Sequence, residues 1–212
     1  MKALFIGGTG TISTAVAALA MDKGWEVTLL NRGSKPVPEG MESMVADIHD
    51  EAAVARIMEG RTYDVVAQFI AYGAEDVQRL FQEKTRQYIF ISSASAYQKP
   101  AAGCPITEST PLINPYWEYS RKKIDAEEVL TAAYRKNGFP VTIVRPSHTY
   151  DGKKPPVAIH GHKGNWQILK RILEGKPVII PGDGTSLWTL THSADFARGY
   201  VGHRQCLPYY QR

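Results

Sequence analysis

Cysteine is scarce in this chain. Only Cys104 and Cys206 are present, far apart, which excludes a disulfide framework and any four-cysteine zinc site and fits a reducing compartment. Long apolar runs are also missing. No stretch approaches the ~20 residues of a membrane span. The apolar start ALFI ends at Gly7, short of the about 7–15 residues of a signal-peptide core. A first strand accounts for it better, and a cytoplasmic protein is expected. Nor does one charge dominate. The formal charge is +4, but acids lie between the basic clusters Arg121-Lys122-Lys123, Arg135-Lys136 and Lys153-Lys154. A solvated surface is therefore favoured over a nucleic-acid groove. His160-Gly161-His162 has no carboxylate or thiol nearby in sequence, so a polar loop is expected there and no metal site.

What is present suffices for a core: 43% of the residues are hydrophobic and 22% charged, an ordinary globular balance. Apolar runs and helical stretches alternate from the start. The pattern predicts strands over Lys2–Gly7, Trp25–Leu30, Glu42–Ala46, Asp64–Ile70, Gln87–Ser92 and Val141–Arg145. Helices are predicted over Thr11–Lys23, Asp50–Glu59 and Glu75–Lys84, and from Pro115 to about Lys136, where Asn137-Gly138 ends the last one. This alternation implies βαβ units and a doubly wound parallel sheet with helices on both faces. After Tyr150 the texture changes to Gly, Pro, Lys and His. A helix (Asn165–Glu174), a short strand (Val178–Ile180) and a final helix near Ala194–Val201 follow. Residues 1–150 are thus expected to form a dinucleotide-binding domain and 151–212 a partial substrate-binding lobe.

GGTGTIS follows a predicted strand and opens a predicted helix, the context that makes a glycine pattern a dinucleotide hypothesis. Gly7 and Gly10 hold the first two positions of a G-x-x-G-x-x-G pattern; Thr9, Thr11 and Ile12 complete the loop, whose helix-start amides would face a pyrophosphate. Ser13 takes the third position, whose task is close helix–strand packing, and a slight loosening is expected there. About 20 residues on, where NAD proteins place a carboxylate on the adenosine ribose, stand Asn31 and Arg32. No carboxylate repels a 2′-phosphate and a guanidinium is at hand, so NADP is favoured over NAD.

Tyr119 and Lys123 lie four apart on the long predicted helix, hence on one face. A phenol titrates near ~10, and bringing it to about 7 requires ~4 kcal/mol of differential stabilisation, to which a neighbouring ammonium contributes. Tyr150 and Lys154 share the spacing but precede Pro155-Pro156 in a non-helical stretch, and are read as a chance match. Ser93, just past the fifth strand in FISSASAY, places a hydroxyl at the carboxyl end of the sheet, where open α/β folds bind ligands. A hydroxyl donor, a phenol and an ammonium at one sheet edge suit removal of a proton from an alcohol while hydride leaves its carbon.

With GGTGTIS, Asp47-Ile48, SSASAY, Tyr119 with Lys123, Arg145-Pro146 and PGDGTSLWTLTHSADFA in place, the chain resembles the extended short-chain dehydrogenase/reductases of the NAD(P)-dependent epimerase/dehydratase type. The resemblance covers residues 1 to about 201 and implies a Rossmann-type fold. It implies that the loop binds the pyrophosphate, that Asp47 and Ile48 hold the adenine, and that Ile70, Ala71, Pro146 and His148 border the cofactor. Ser93 would be the catalytic hydroxyl, with Ser95 as the alternative. Tyr119 would be the acid/base, and Lys123 would bind the nicotinamide ribose and lower the tyrosine's pKa. Ser95 and Tyr97 would face substrate, a sugar or nucleotide sugar; Trp117, Trp188 and His192 are read, from the residues alone, either as facing substrate or as packing. Family dehydratases carry Asp-Glu after the catalytic hydroxyl residue; Ala94-Ser95 stand here, which favours an epimerase or simple reductase. The chain ends before the family's further strand and most of its substrate lobe. A homodimer is left open. The rival readings are a non-catalytic NAD(P)- or RNA-binding protein of the same superfamily and an inactive truncated form.

Overall fold

The computed structural model describes residues 1–34, 36–70, 76–157, 159 and 165–202. β1 (Lys2–Ile6) shows why its neighbours stack on both sides. Leu4 and Ile6 face one apolar layer, Ala3 and Phe5 the other, and all four are fully buried, as alternating side chains of a covered parallel strand must be. β2 (Glu26–Asn31), β3 (Glu42–Val45), β4 (Tyr63–Gln68), β5 (Thr85–Ile91) and β6 (Val141–Val144) complete a six-stranded sheet in the order β3-β2-β1-β4-β5-β6. Every adjacent pair is parallel. The order reverses at β1, which opens a crevice between the carboxyl ends of β1 and β4.

One face carries α2 (Glu51–Ile57), a 3₁₀ segment over Asp76–Phe81 and α3 (Glu118–Asn137); the other carries α1 (Thr11–Asp22) and α5 (Ser193–Gly202). Local chemistry sets their ends. Asp50 Oδ1 caps α2 by accepting from Ala53 N at 3.0 Å. Gly138 ends α3 with φ +66, the left-handed cap that glycine adopts without strain. Ala197, Tyr200 and Val201 of α5 join the layer built by Val16, Ala17 and Ala20 of α1, so this helix, from the stretch expected to form the lobe, packs against α1 and the six-stranded sheet. Among the described residues no helix is long and apolar enough to cross a membrane.

Three expectations change. The helix expected over Glu75–Lys84 is the shorter 3₁₀ segment Asp76–Phe81. α3 begins at Glu118, not Pro115, because Asn114 Oδ1 accepts from Tyr116 N at 3.1 Å and holds the approach in a turn. Val178–Ile180 form no strand; Ile179 and Ile180 are 74% and 58% exposed. β-branched residues there find no described strand to pair with, and Pro177 and Pro181 bracket them. Instead β7 (His148–Tyr150) and β8 (Leu190–His192), absent from the sequence reading, pair as a small parallel sheet, with Tyr150 opposite His192. α4 (Trp166–Leu173) lies between them in sequence.

Candidate active site

The glycine turn leaves β1 with Gly7 N donating to Leu30 O at 2.9 Å. Gly7 and Gly8 have φ of +97 and +95, so both need glycine's freedom. Gly8 is the tighter of the two. A Cβ there would stand 2.8 Å from Leu29 Cδ2, in the fully buried layer under the turn. Gly10 is extended, with φ −97 and ψ 179, and caps α1. Ser13 does not loosen the turn as expected. It is buried, and its Oγ accepts from Gly10 N at 2.8 Å, so the serine pins the loop to the first turn of the helix. That first turn holds no acidic residue. A cleft of about 420 Å³ lies over it, walled by residues 7–13, Phe69, Thr149 and Lys154. Backbone that comes close without Cβ atoms, helix-start amides and no carboxylate among the described lining residues fit a dinucleotide pyrophosphate.

The residues assigned to the adenosine end lie at the carboxyl ends of β2 and β3. Asn31 Oδ1 accepts from Gly33 N at 2.8 Å, and its buried Nδ2 has no acceptor among the described residues. Arg32 is exposed. Asp47 Oδ1 accepts from His49 N at 3.0 Å. The Ile48 side chain is buried in the core, so any contact it makes with a ligand is through its backbone. Ile70 is half-buried against the same core, and Ala71 lies outside the described residues, as do His160 and His162. Among the described residues no cluster of three or more His, Cys, Asp or Glu could hold a metal.

Ser93 caps a short 3₁₀ turn over Ala94–Ala96 just past β5. Its Oγ accepts from Ser95 N at 3.2 Å and lies 2.9 Å from Ser95 Oγ. Ser120 of α3 donates its hydroxyl to Ser95 Oγ at 2.9 Å, and Asn114 Nδ2 donates to Ser95 O at 2.7 Å. α3 is thereby fastened to the serine turn. Lys123 is 1% exposed; its ammonium donates to Ile91 O, two residues before Ser93, at 2.6 Å. The same ammonium lies 4.6 Å from the Phe90 ring centre and 5.8 Å from that of Tyr119. The Tyr119 ring, half-buried, stacks on Trp117 at 4.8 Å. Ser93, Tyr119 and Lys123 are therefore gathered where β5 ends.

Beneath them is a contact the sequence did not disclose. Arg145 grips Glu127 of α3 through Nε (3.0 and 3.1 Å) and Nη2 (2.6 Å), and its Nη1 donates to Tyr97 Oη at 3.0 Å. The Glu127 carboxylate holds this guanidinium even further above its ordinary pKa, against the opposing pull of burial. Tyr97, assigned to substrate, uses its hydroxyl on this pair. Pro146 O accepts from Ala94 N at 2.9 Å, tying the end of β6 to the serine turn. His148 and Trp188 meet edge to face at 5.4 Å, and Tyr150 and His192 at 5.2 Å. His192 Nδ1 also accepts from Ala194 N at 3.2 Å, at the start of α5. Trp188 and His192 thus pack across β7 and β8. Gly8, Ser120, Asn114 and Glu127 escape sequence reasoning, although Gly8 lies inside GGTGTIS and Ser120 between Tyr119 and Lys123, and Lys154 enters it only as half of a chance pair.

A glycine turn at the switch point of this strand order, with polar side chains collected at the ends of β5 and β6, defines an α/β fold of the dinucleotide-binding type. The chain belongs to the NAD dependent epimerase/dehydratase family, whose model matches residues 3–86 and 76–203. Among curated proteins it is 25% identical to 2′-dehydrokanamycin reductase of Streptomyces kanamyceticus, over 92% of this chain and 55% of that one. It is 24% identical to the chloroplast stem-loop binding protein of 41 kDa b of Arabidopsis thaliana, over 94% of this chain and 54% of the relative. The chain thus spans about half the length of these relatives. UDP-glucose 4-epimerase of Thermotoga maritima, solved with UDP-glucose, superposes with a TM-score of 0.77 at 20% identity, covering 95% of this chain and 72% of that one. At that identity the likeness carries the fold alone.

Proposed function

We propose that this chain is an NAD(P)-dependent oxidoreductase or epimerase acting on a hydroxyl of a sugar or nucleotide sugar through Ser93, Tyr119 and Lys123. The observation that carries the reading is the hydroxyl chain from α3 to the serine turn. Ser120 donates to Ser95 Oγ, which lies 2.9 Å from Ser93 Oγ, and in our reading Ser95 donates in that second pair. Ser93 Oγ already accepts from Ser95 N. With Ser95 donating, both acceptor sites of Ser93 are filled and its own proton is directed to a substrate oxygen. Tyr119 takes the hydroxyl proton of the substrate as its carbon is oxidised, and returns it on reduction. The buried Lys123 ammonium, held by Ile91 O, favours the phenolate form of Tyr119 while that proton is away. A bound nicotinamide supplies the acceptor and donor of hydride.

Asn31 and Arg32 at the end of β2 support NADP over NAD, since neither repels a 2′-phosphate. The scarcity of cysteine supports a cytoplasmic setting. Calorimetric titration with NADP⁺ and NAD⁺, followed by a screen of UDP-sugars for turnover, tests the reading. Tyr119→Phe is expected to keep dinucleotide affinity and lose turnover; retained turnover removes Tyr119 from the mechanism. Salt-sensitive RNA binding with no turnover would support the rival, a nucleic-acid-binding relative of the stem-loop binding type.

A further inference from the structure

We infer that Lys154 is the cation that neutralises the dinucleotide's pyrophosphate, delivered to the glycine turn by the loop that follows β7. The inference rests on the cleft being the dinucleotide site. It begins with charge. A pyrophosphate diester carries two negative charges, whereas a helix N-terminus offers the equivalent of about half an elementary charge. GGTGTIS contains no Lys or Arg. Among the described residues lining the cleft, Lys154 alone is charged. With no acid in the first turn of α1, no described residue of that lining competes for the ammonium.

The loop's construction explains how Lys154 reaches the cleft. Asp151 Oδ1 accepts from Lys153 N at 2.8 Å and from Lys154 N at 2.6 Å. The backbones of Asp151 and Lys154 also exchange two bonds of 3.2 Å. The turn is closed on itself, and the Asp151 carboxylate is engaged with backbone amides. On the far side, Pro155 O accepts from the buried Asn165 side chain, which secures the loop to the start of α4. Tyr150, four residues before Lys154, packs its ring on His192 of β8. The tyrosine-lysine spacing therefore makes no pair here. The strand-and-turn geometry sends the tyrosine to β8 and the lysine to residues 7–13, where Thr149 of β7 joins it.

The test is calorimetric titration of the full chain with NAD⁺ at low and high KCl. Lys154→Gln is expected to weaken binding roughly tenfold at low salt, the scale of one charge-assisted contact. It should also flatten the salt dependence, because the screened interaction is the one removed. Lys154→Arg is expected to stay within about threefold of the parent, and Lys153→Gln, outside the cleft lining, to match it. Unchanged affinity in Lys154→Gln overturns the inference. So does a loss of affinity with an unchanged salt slope, which a structural disturbance of the loop would produce. A parent chain that binds neither NAD⁺ nor NADP⁺ would instead defeat the dinucleotide reading of the cleft, and this inference with it.

Discussion

Alanine at Gly8 and alanine at Gly10 should fail in different ways, although the two glycines share one turn. At Gly8 the backbone has φ +95, a conformation that costs an L-residue about 1–2 kcal/mol. The new Cβ would also lie 2.8 Å from Leu29 Cδ2. Leu29 is fully buried in the layer between the sheet and α1, so relief requires repacking, worth about 1–3 kcal/mol. The sum is about 2–5 kcal/mol, a large share of the about 5–15 kcal/mol that holds a domain folded. At Gly10 the backbone is extended and the added Cβ would meet only Ser13 Oγ, at an ordinary 3.5 Å. There the stability cost is that of alanine at a cap position, about 1 kcal/mol or less, but the methyl projects at the cleft wall. Urea denaturation and NAD⁺ calorimetry on both variants read the two effects separately. Gly8→Ala should lower the unfolding midpoint sharply. Gly10→Ala should nearly keep it and bind dinucleotide at least about tenfold more weakly. A Gly8→Ala midpoint equal to the parent's, or equal stability losses in the two variants, would refute this division of roles.

Removing the Glu127 carboxylate strands Arg145, whose side chain is 18% exposed against 3% for Glu127. Glu127→Ala should cost about 3–5 kcal/mol in urea denaturation, with Glu127→Gln intermediate; a loss below about 1 kcal/mol would show that Arg145 escapes to water. Burial raises the pKa of Tyr63 above its ordinary value, outweighing the nearby Arg61 and the bonds to Thr28 and Arg61. A phenol whose folded pKa exceeds its unfolded one contributes stability that is intact below about pH 10 and fades as pH rises through the folded value. Thermal denaturation between pH 8 and 11 should therefore show an alkaline decline that Tyr63→Phe diminishes.

Much of the frame was readable before any coordinates. β1, β2, β4 and β5 are apolar runs with breakers between them, and doubly covered strands leave such runs in any chain. α1 and α3 carry helical spacing, and Asn137-Gly138 marks where α3 stops. The glycine turn, Ser93, Tyr119 and Lys123 were legible because each follows from a strand end or a helix period. Short elements were not. β7 and β8 have three residues each, too few to show a period, and each exists because the other is beside it. Val178–Ile180 shows the converse, with strand-like residues and no strand, since β propensity is expressed only against a partner.

Residue roles divide along the same line. Spacing marked Gly7 and Gly10, but only the approach of Leu29 singles out Gly8. Size suggested that Ser13 would loosen the turn, whereas its hydroxyl finds Gly10 N. Tyr97, Trp188 and His192 are ordinary polar aromatics in the sequence; their neighbours Arg145, His148 and Tyr150 come from distant segments. Lys154 lay in a motif that looked accidental and was, as a pair. What the sequence by itself determined is what local backbone chemistry controls: the strands, the caps, the turn after β1 and the helix face shared by Tyr119 and Lys123. What only the tertiary structure decided is which hydroxyls, carboxylates and ammonium groups meet. Those meetings depend on the crossing of segments far apart in the chain, and hydrogen bonds and charges act over a few ångströms of space, whatever their separation in sequence.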